Sequence, residues 1–311
     1  MRPAPALSRF PAFPVVTVIA AMAIFVTIAI KTDRTDIDPF VMSSLTFDNE
    51  PWRLLSSALP HGDALHLIFN VVWLWVLGTR LEETLGHVTT FIIIIVLAVG
   101  SAAAEFAFAA GGIGLSGVGY GLVGCLMVLA SKDRRFRDAI DRRTLILFGV
   151  WFLLCVALTL ADVWNIGNVA HGSGFVLGVL IGYVLAPGAR TTRIAAAAAL
   201  LVAVGGSLAG AALWRPQLNL SANASVDDAY RGYKALGDKR YDLAARHIER
   251  ALALDPNDAG SWFNYGIALK YVAGSRGMTT LQAWERAVAL DPTDPQMRGA
   301  LERERIEPSE P

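Results

Sequence analysis

The feature that most constrains this chain is a series of apolar runs, each close to the length a helix needs to cross about 30 Å of hydrocarbon. Seven such helices are expected, at 14–30, 64–79, 89–109, 115–131, 145–161, 169–186 and 194–214. Composition agrees, with 54% hydrophobic and 17% charged residues and a mean hydropathy of +0.46. A soluble domain carries about 25% charge. The first run follows a short tail bearing Arg2 and Arg9. It exceeds the usual apolar stretch of a signal peptide and no clear small-residue cleavage site follows, so it is expected to be a membrane span.

Zero formal net charge argues against a nucleic-acid partner. Cys125 and Cys155 lie inside apolar runs. They read as small buried hydrophobes, not as a disulfide or zinc site.

Orientation follows from the loops. With a cytoplasmic tail at 1–13, the inner segments hold eleven basic residues: Arg2, Arg9, Arg80, Lys132, Arg134, Arg135, Arg137, Arg142, Arg143, Arg190 and Arg193. The outer loops hold three, Lys31, Arg34 and Arg53. Positive charge stays inside, so the C-terminal segment is expected on the outer side.

After Trp214 the sequence changes character. A polar linker, 215–224, leads into helical sequence of soluble type over 225–305. ALALDP (251–256) and AVALDP (287–292) recur at a spacing of 36, and Gly232 and Gly266 are 34 apart. The segment resembles tetratricopeptide repeats, whose period is about 34 residues. About two repeats are expected over 225–295, with a two-residue insertion around Ser275–Met278. The resemblance implies a partner-binding or self-association module; a plain helical appendage is the other reading.

Ionisable or nucleophilic side chains inside spans are functional candidates. His66 and Asn70 fall in the first half of the second span, Ser116 near the start of the fourth and His171 near the start of the sixth. These spans run in the same sense, so all four residues sit at similar depth toward the outer face. Gly117 and Gly121 form one small-residue stripe, and Gly174, Gly178 and Gly182 another. Such stripes let helix backbones approach closely, which puts the Ser116 hydroxyl within reach of the His171 imidazole. A serine needs a base to take its proton, and the resulting oxyanion needs fixed donors. The Asn70 amide, the His66 ring and the Ser116 backbone N–H are suitable. Glu105, near the outer end of the third span, is expected to reach water or line this cavity. His61 and His87, in loops, read as solvated.

The stretches WRLLSSALPHGDALHLIFN, GTRLEETLG, GLSGVGYGLVG and AHGSGFVLGVLIG carry a resemblance. From about Trp52 to Ala186 the chain resembles the rhomboid family of intramembrane proteases. The shared motifs are H-x-x-x-N (His66, Asn70), G-x-S-G (Gly114 to Gly117) and A-H-x-x-G-x-x-x-G (Ala170 to Gly178, with Gly174 and Gly178). The resemblance implies Ser116 as nucleophile and His171 as general base. It makes His66, Asn70 and the Ser116 amide an oxyanion hole, and Tyr120 the ring stacked on the histidine. Trp52 and Arg53 match a first-loop signature, and Glu82 a structural carboxylate.

The expected architecture is therefore all-α. A six-plus-one bundle of spans over 14–214 is followed by a C-terminal α-helical tetratricopeptide segment. The expected activity is a serine endopeptidase acting on transmembrane proteins, with membrane lipid as its surroundings and no metal or cofactor. The setting this suggests is a bacterial cell membrane. A catalytically inactive relative that binds transmembrane clients is the alternative. A transporter is disfavoured, because the polar residues gather at one end of the bundle.

Overall fold

The computed structural model describes residues 1–47, 49–221, 224–272 and 278–306. No strand occurs among the described residues. The chain divides into two compact units, Met1–Asn219 and Leu220–Pro311.

Seven apolar helices build the first unit: α1 (Pro14–Lys31), α2 (Ala64–Leu85), α3 (His87–Phe108), α4 (Ser116–Lys132), α5 (Arg142–Leu160), α6 (Asn168–Leu185) and α7 (Arg190–Leu218). Among the described residues six are long and apolar enough to cross a membrane, as an integral multi-pass protein requires; α4, with 17 residues, is shorter. Its shortness has a physical reason. Leu122, Val123, Leu126 and Leu129 are all buried, so protein surrounds α4 and its ends need not be shielded from lipid.

Local chemistry sets the ends of these helices. The Asp63 carboxylate caps α2 by accepting the His66 backbone N–H at 2.9 Å, a role short acidic side chains fill well. The second span was expected to stop at 79. The helix instead passes through a π-helical stretch at Leu74–Gly78 and continues to Leu85. That extension delivers Glu82 to the start of α1, where its carboxylate accepts the Val15 and Val16 N–H groups at 2.9 and 3.1 Å. Pro14 opens α1 at a position where a missing N–H does no harm.

Between α1 and α2, Arg53 is buried. Its guanidinium donates to the carbonyls of Val41, at 2.8 Å, and Asp38, and to the Glu50 carboxylate. The adjacent Trp52 is exposed. One cation thus gathers the loop, while the tryptophan faces outward.

Glycines join α4 to α6. A Cβ at Gly174 would overlap the Gly117 carbonyl, and one at Gly178 the Gly121 carbonyl. The two helices therefore meet backbone to backbone, which only hydrogen side chains allow. The two glycine stripes face each other in register.

Helix α7 continues past Trp214 to Leu218, so the segment expected as a linker begins as helix. Arg215 anchors it. Its guanidinium donates to the Ala109 carbonyl at 2.7 Å and lies 3.6 Å from the centre of the Phe106 ring, a favourable cation–π placement.

The second unit contains α8 (Ala224–Gly237), α9 (Tyr241–Leu254), α10 (Ala259–Tyr271), α11 (Thr280–Leu290) and α12 (Pro295–Ile306). Alanines dominate its core, with Ala235, Ala244, Ala245, Ala268 and Ala283 packed around Ile248 and Tyr265. Gly232 abuts Ile248, and Gly266 abuts Trp284, so closely that a Cβ at either glycine would overlap the larger side chain. Thr279 and Gln282 form a reciprocal capping box at the start of α11. Most of the expected insertion around Ser275–Met278 lies outside the described residues.

Candidate active site

Ser116 is the first residue of α4 and His171 lies in the first turn of α6. Both line one cavity of about 830 Å³, together with His66, Asn70, Tyr120 and Glu105. Loop residues Gly112 and Gly114, which precede Ser116, complete that wall.

The helix crossing sets the spacing. A Cβ on Gly117, beside Ser116, would stand 3.3 Å from the carbonyl of Ala170, beside His171. Tyr120, one turn after Ser116 on α4, stacks on the His171 imidazole, with ring centroids 4.6 Å apart and planes 24° from parallel. The Tyr120 hydroxyl donates to the Phe148 carbonyl of α5 at 3.2 Å. The imidazole is thus held by a ring that α4 and α5 fix together.

Among the described residues no hydrogen bond joins the Ser116 hydroxyl to the His171 ring, and the buried His171 Nδ1 has no partner. Catalytic hydrogen bonds commonly lengthen in unliganded sites and tighten around substrate. The arrangement supplies adjacency without a preformed contact.

His66 and Asn70 share one face of α2, an (i, i+4) pair. The His66 Nδ1 accepts the Gly62 N–H at 3.4 Å, which leaves Nε2 as the protonated nitrogen. That edge faces Gly114: a Cβ there would lie 3.1 Å from Nε2. Gly114 has φ of +101°, a conformation that excludes ordinary side chains. Its N–H donates to the Ser57 carbonyl at 2.9 Å. The glycine lets the loop turn beneath the histidine and enter α4. Asn70 is buried and spends one amide N–H on the His66 carbonyl at 2.9 Å. A second amide hydrogen remains for the cavity.

One residue differs from the sequence-based expectation, and for another, Glu105, the structure selects one of two readings. His61 is buried at 3% exposure, not solvated. Its Nδ1 donates to the Leu59 carbonyl at 2.9 Å and its Nε2 accepts the Leu115 N–H at 3.3 Å. It also meets His66 edge to face, with centroids 4.9 Å apart. The Leu115 N–H, at the entry to α4, needs an acceptor, and only the folded loop reveals that His61 supplies it. Burial, with the neighbouring His66 assisting, pushes the His61 pKa down to about 4. Glu105 lines the cavity but does not reach for water. It is 4% exposed, and its carboxylate accepts the Ala170 N–H at 2.8 Å. His87 is largely exposed, as read, although its Nδ1 lies 2.7 Å from Glu82.

On one side the cavity is walled by aromatic contacts between α2 and α5. Phe69 meets Trp151 with centroids 5.6 Å apart, and Trp73 meets Phe148 at 4.9 Å. Cys125 and Cys155 are both buried and free. Among the described residues no cluster of His, Cys, Asp and Glu has the geometry of a metal site.

The profile of the rhomboid domain matches residues 48–188. A protein named rhomboid protease GlpG from Photorhabdus laumondii is 35% identical over 147 residues, 45% of this chain and 51% of that protein. Proteins of the same name from Yersinia pseudotuberculosis and Yersinia pestis are 32% and 33% identical over 133 residues, 42% of this chain and 47% of theirs. The chain spans about half the length of these relatives.

Proposed function

We propose that residues 48–188, which the rhomboid-domain profile matches, form a rhomboid domain and that the chain is an intramembrane serine endopeptidase with a Ser116–His171 dyad. The observation that carries the reading is the convergence of Ser116, the Tyr120-stacked His171, His66 and Asn70 on one cavity. A serine alone in a glycine-rich helix would have a packing role. A serine beside a held imidazole and two amide or ring donors has the parts of acyl-transfer chemistry.

In this reading the Ser116 oxygen attacks a substrate carbonyl while His171 takes its proton. The carbonyl oxygen becomes an oxyanion, held by the His66 Nε2–H, an Asn70 amide hydrogen and the Ser116 backbone N–H. His171 returns the proton to the departing amine, and water then releases the acyl group by the same route. The chemistry needs no metal or organic cofactor.

The substrate class is a transmembrane protein cut in or beside its span. An intact helix hides its carbonyls, so helix-weakening residues near the bond favour cleavage. The proposed setting is a bacterial cell membrane, with the N-terminus cytoplasmic and the C-terminal unit on the outer side. Loop charge supports that orientation. The second unit is read as tetratricopeptide-like. Gly232 against Ile248 and Gly266 against Trp284 repeat one close helix contact, the glycines 34 residues apart and their partners 36, which supports that reading. Its proposed role is to bind a protein partner or a second copy of the chain.

The test is covalent. A fluorophosphonate should label wild-type protein at Ser116, and the label should vanish in His171→Ala. Labelling elsewhere, or undiminished labelling in His171→Ala, overturns the dyad.

A further inference from the structure

Helix α6 carries His171 in its first turn, and its N-terminus is unusual. Gly167 holds the capping position and supplies no side chain. The first N–H groups of any helix lack partners within the helix, and buried donors of this kind need an acceptor. Here the acceptor comes from another span. The Glu105 carboxylate of α3 accepts the Ala170 N–H at 2.8 Å, and the Val169 N–H is also directed at it. Ala170 immediately precedes His171.

Two glycines fit the carboxylate into place. A Cβ at Gly112 would stand 3.3 Å from the Glu105 Cγ, and a Cβ at Gly167 3.4 Å from its carboxyl carbon. Gly112 belongs to the loop that leads into Ser116, and Gly167 to the turn that leads into α6. Glu105 is therefore enclosed where the end of α3, the Ser116 loop and the start of α6 converge. Its acceptor oxygens also lie at the positive end of the α6 dipole. A carboxylate buried in a membrane helix is costly unless satisfied, and the α6 amides satisfy it.

We infer that Glu105 is a positioning residue: its carboxylate caps α6 from α3 and thereby sets the depth and rotation of His171 relative to Ser116. The inference rests on the proposed Ser116–His171 chemistry for its consequence, but the cap itself does not. A hydrogen-bond acceptor is what the position requires. Glutamine retains a carbonyl oxygen at the same reach, whereas alanine removes the acceptor of the part-buried Ala170 N–H.

The test uses the full chain, purified in detergent, as wild type, Glu105→Gln, Glu105→Ala and Ser116→Ala. Hydrogen exchange is followed in the peptide covering 166–175, together with kcat and KM on a transmembrane substrate. Glu105→Ala should speed exchange at Val169 and Ala170 and lower kcat about 10- to 100-fold, the range a small misplacement of a reacting group produces. KM should change less than kcat, because the cap acts on the placement of His171, whose proton transfer belongs to the transition state. Glu105→Gln should restore both exchange protection and most of kcat. Should Glu105→Ala fail to fold, Glu105→Gln carries the test alone, since near-wild-type kcat and protection are required of it. Unchanged exchange and kcat in Glu105→Ala would overturn the inference, as would Glu105→Gln losing as much as Glu105→Ala. If wild type and Ser116→Ala cleave equally, the protease reading fails; faster exchange in Glu105→Ala would still establish the cap.

Discussion

The Tyr120 ring lies over the His171 imidazole with centroids 4.6 Å apart, while its hydroxyl is bonded to the Phe148 carbonyl. The stack and the hydroxyl bond are separable. Tyr120→Phe keeps the ring and should retain kcat within about threefold, losing roughly 1 kcal/mol of stability with the hydrogen bond. Tyr120→Ala frees the imidazole and should lower kcat about 10- to 100-fold. Steady-state kinetics on one transmembrane substrate, beside thermal melts, distinguish the two effects. Equal kinetics for both variants would mean that the stack does not hold His171.

The backbone contact at Gly178 and Gly121 leaves no room for a methyl group. Gly178→Val should force α4 and α6 apart at a cost of about 1–3 kcal/mol or more, as overpacking against a rigid neighbour does. A lowered melting temperature and lost fluorophosphonate labelling are expected together. Gly205 has no neighbouring atom within reach of an added Cβ, so Gly205→Val should melt like wild type and serves as the control.

His61 gives the fold a pH dependence. Its neutral Nε2 accepts the Leu115 N–H, and its pKa is lowered from 6.5 to about 4. The unfolded chain therefore binds this proton at higher pH than the folded one. The contribution to stability is complete above pH 6.5 and is lost as pH falls toward 4. Melting temperature should drop across that window. In His61→Asn the slope should be shallower, with stability at pH 7 reduced by about 1–3 kcal/mol for the unpaired buried groups. An unchanged slope would assign the pH dependence to other groups.

Much of this organisation was legible in the sequence because it depends on period and depth. Apolar run length gave the helices, and the glycine spacing anticipated which faces of α4 and α6 meet. His66, Asn70, Ser116 and His171 stood out because polar groups in apolar runs need a reason to be there. What escaped was whatever depends on a partner far along the chain. His61 sits in a loop, where solvation is the ordinary expectation, and its acceptor role depends on Leu115, far along in sequence. Glu105 was legible as reaching water or lining the cavity, but its contact with the Ala170 N–H was not, because that amide lies far along the chain. The extension of α7 was hidden for a similar reason. Arg215 reads as the start of a polar linker until Phe106 and the Ala109 carbonyl are seen beneath it.

That anchor separates two truncations. Ending the chain after Asn219 removes the second unit and keeps Arg215, so cleavage of a generic transmembrane substrate should remain within about threefold of wild type. Ending it after Trp214 also removes the cation–π contact and the bond to Ala109. The melting temperature should then fall, with a loss on the order of 1–2 kcal/mol. Thermal melts and cleavage rates of both truncations in the same detergent check this. Complete inactivity of a stably folded 1–219 protein would make the second unit part of the catalytic machinery.

The central claim is that Ser116 cuts peptide bonds within or beside transmembrane helices. Its most direct measurement is cleavage of one purified transmembrane substrate by wild-type protein and by Ser116→Ala at equal concentration in liposomes, with the product mass determined. The account predicts a discrete cut in or next to the span by wild type and none by Ser116→Ala, whose fold and melting temperature are unchanged. Equal cleavage by both, or none by a well-folded wild type on substrates with helix-weakening residues, would contradict it.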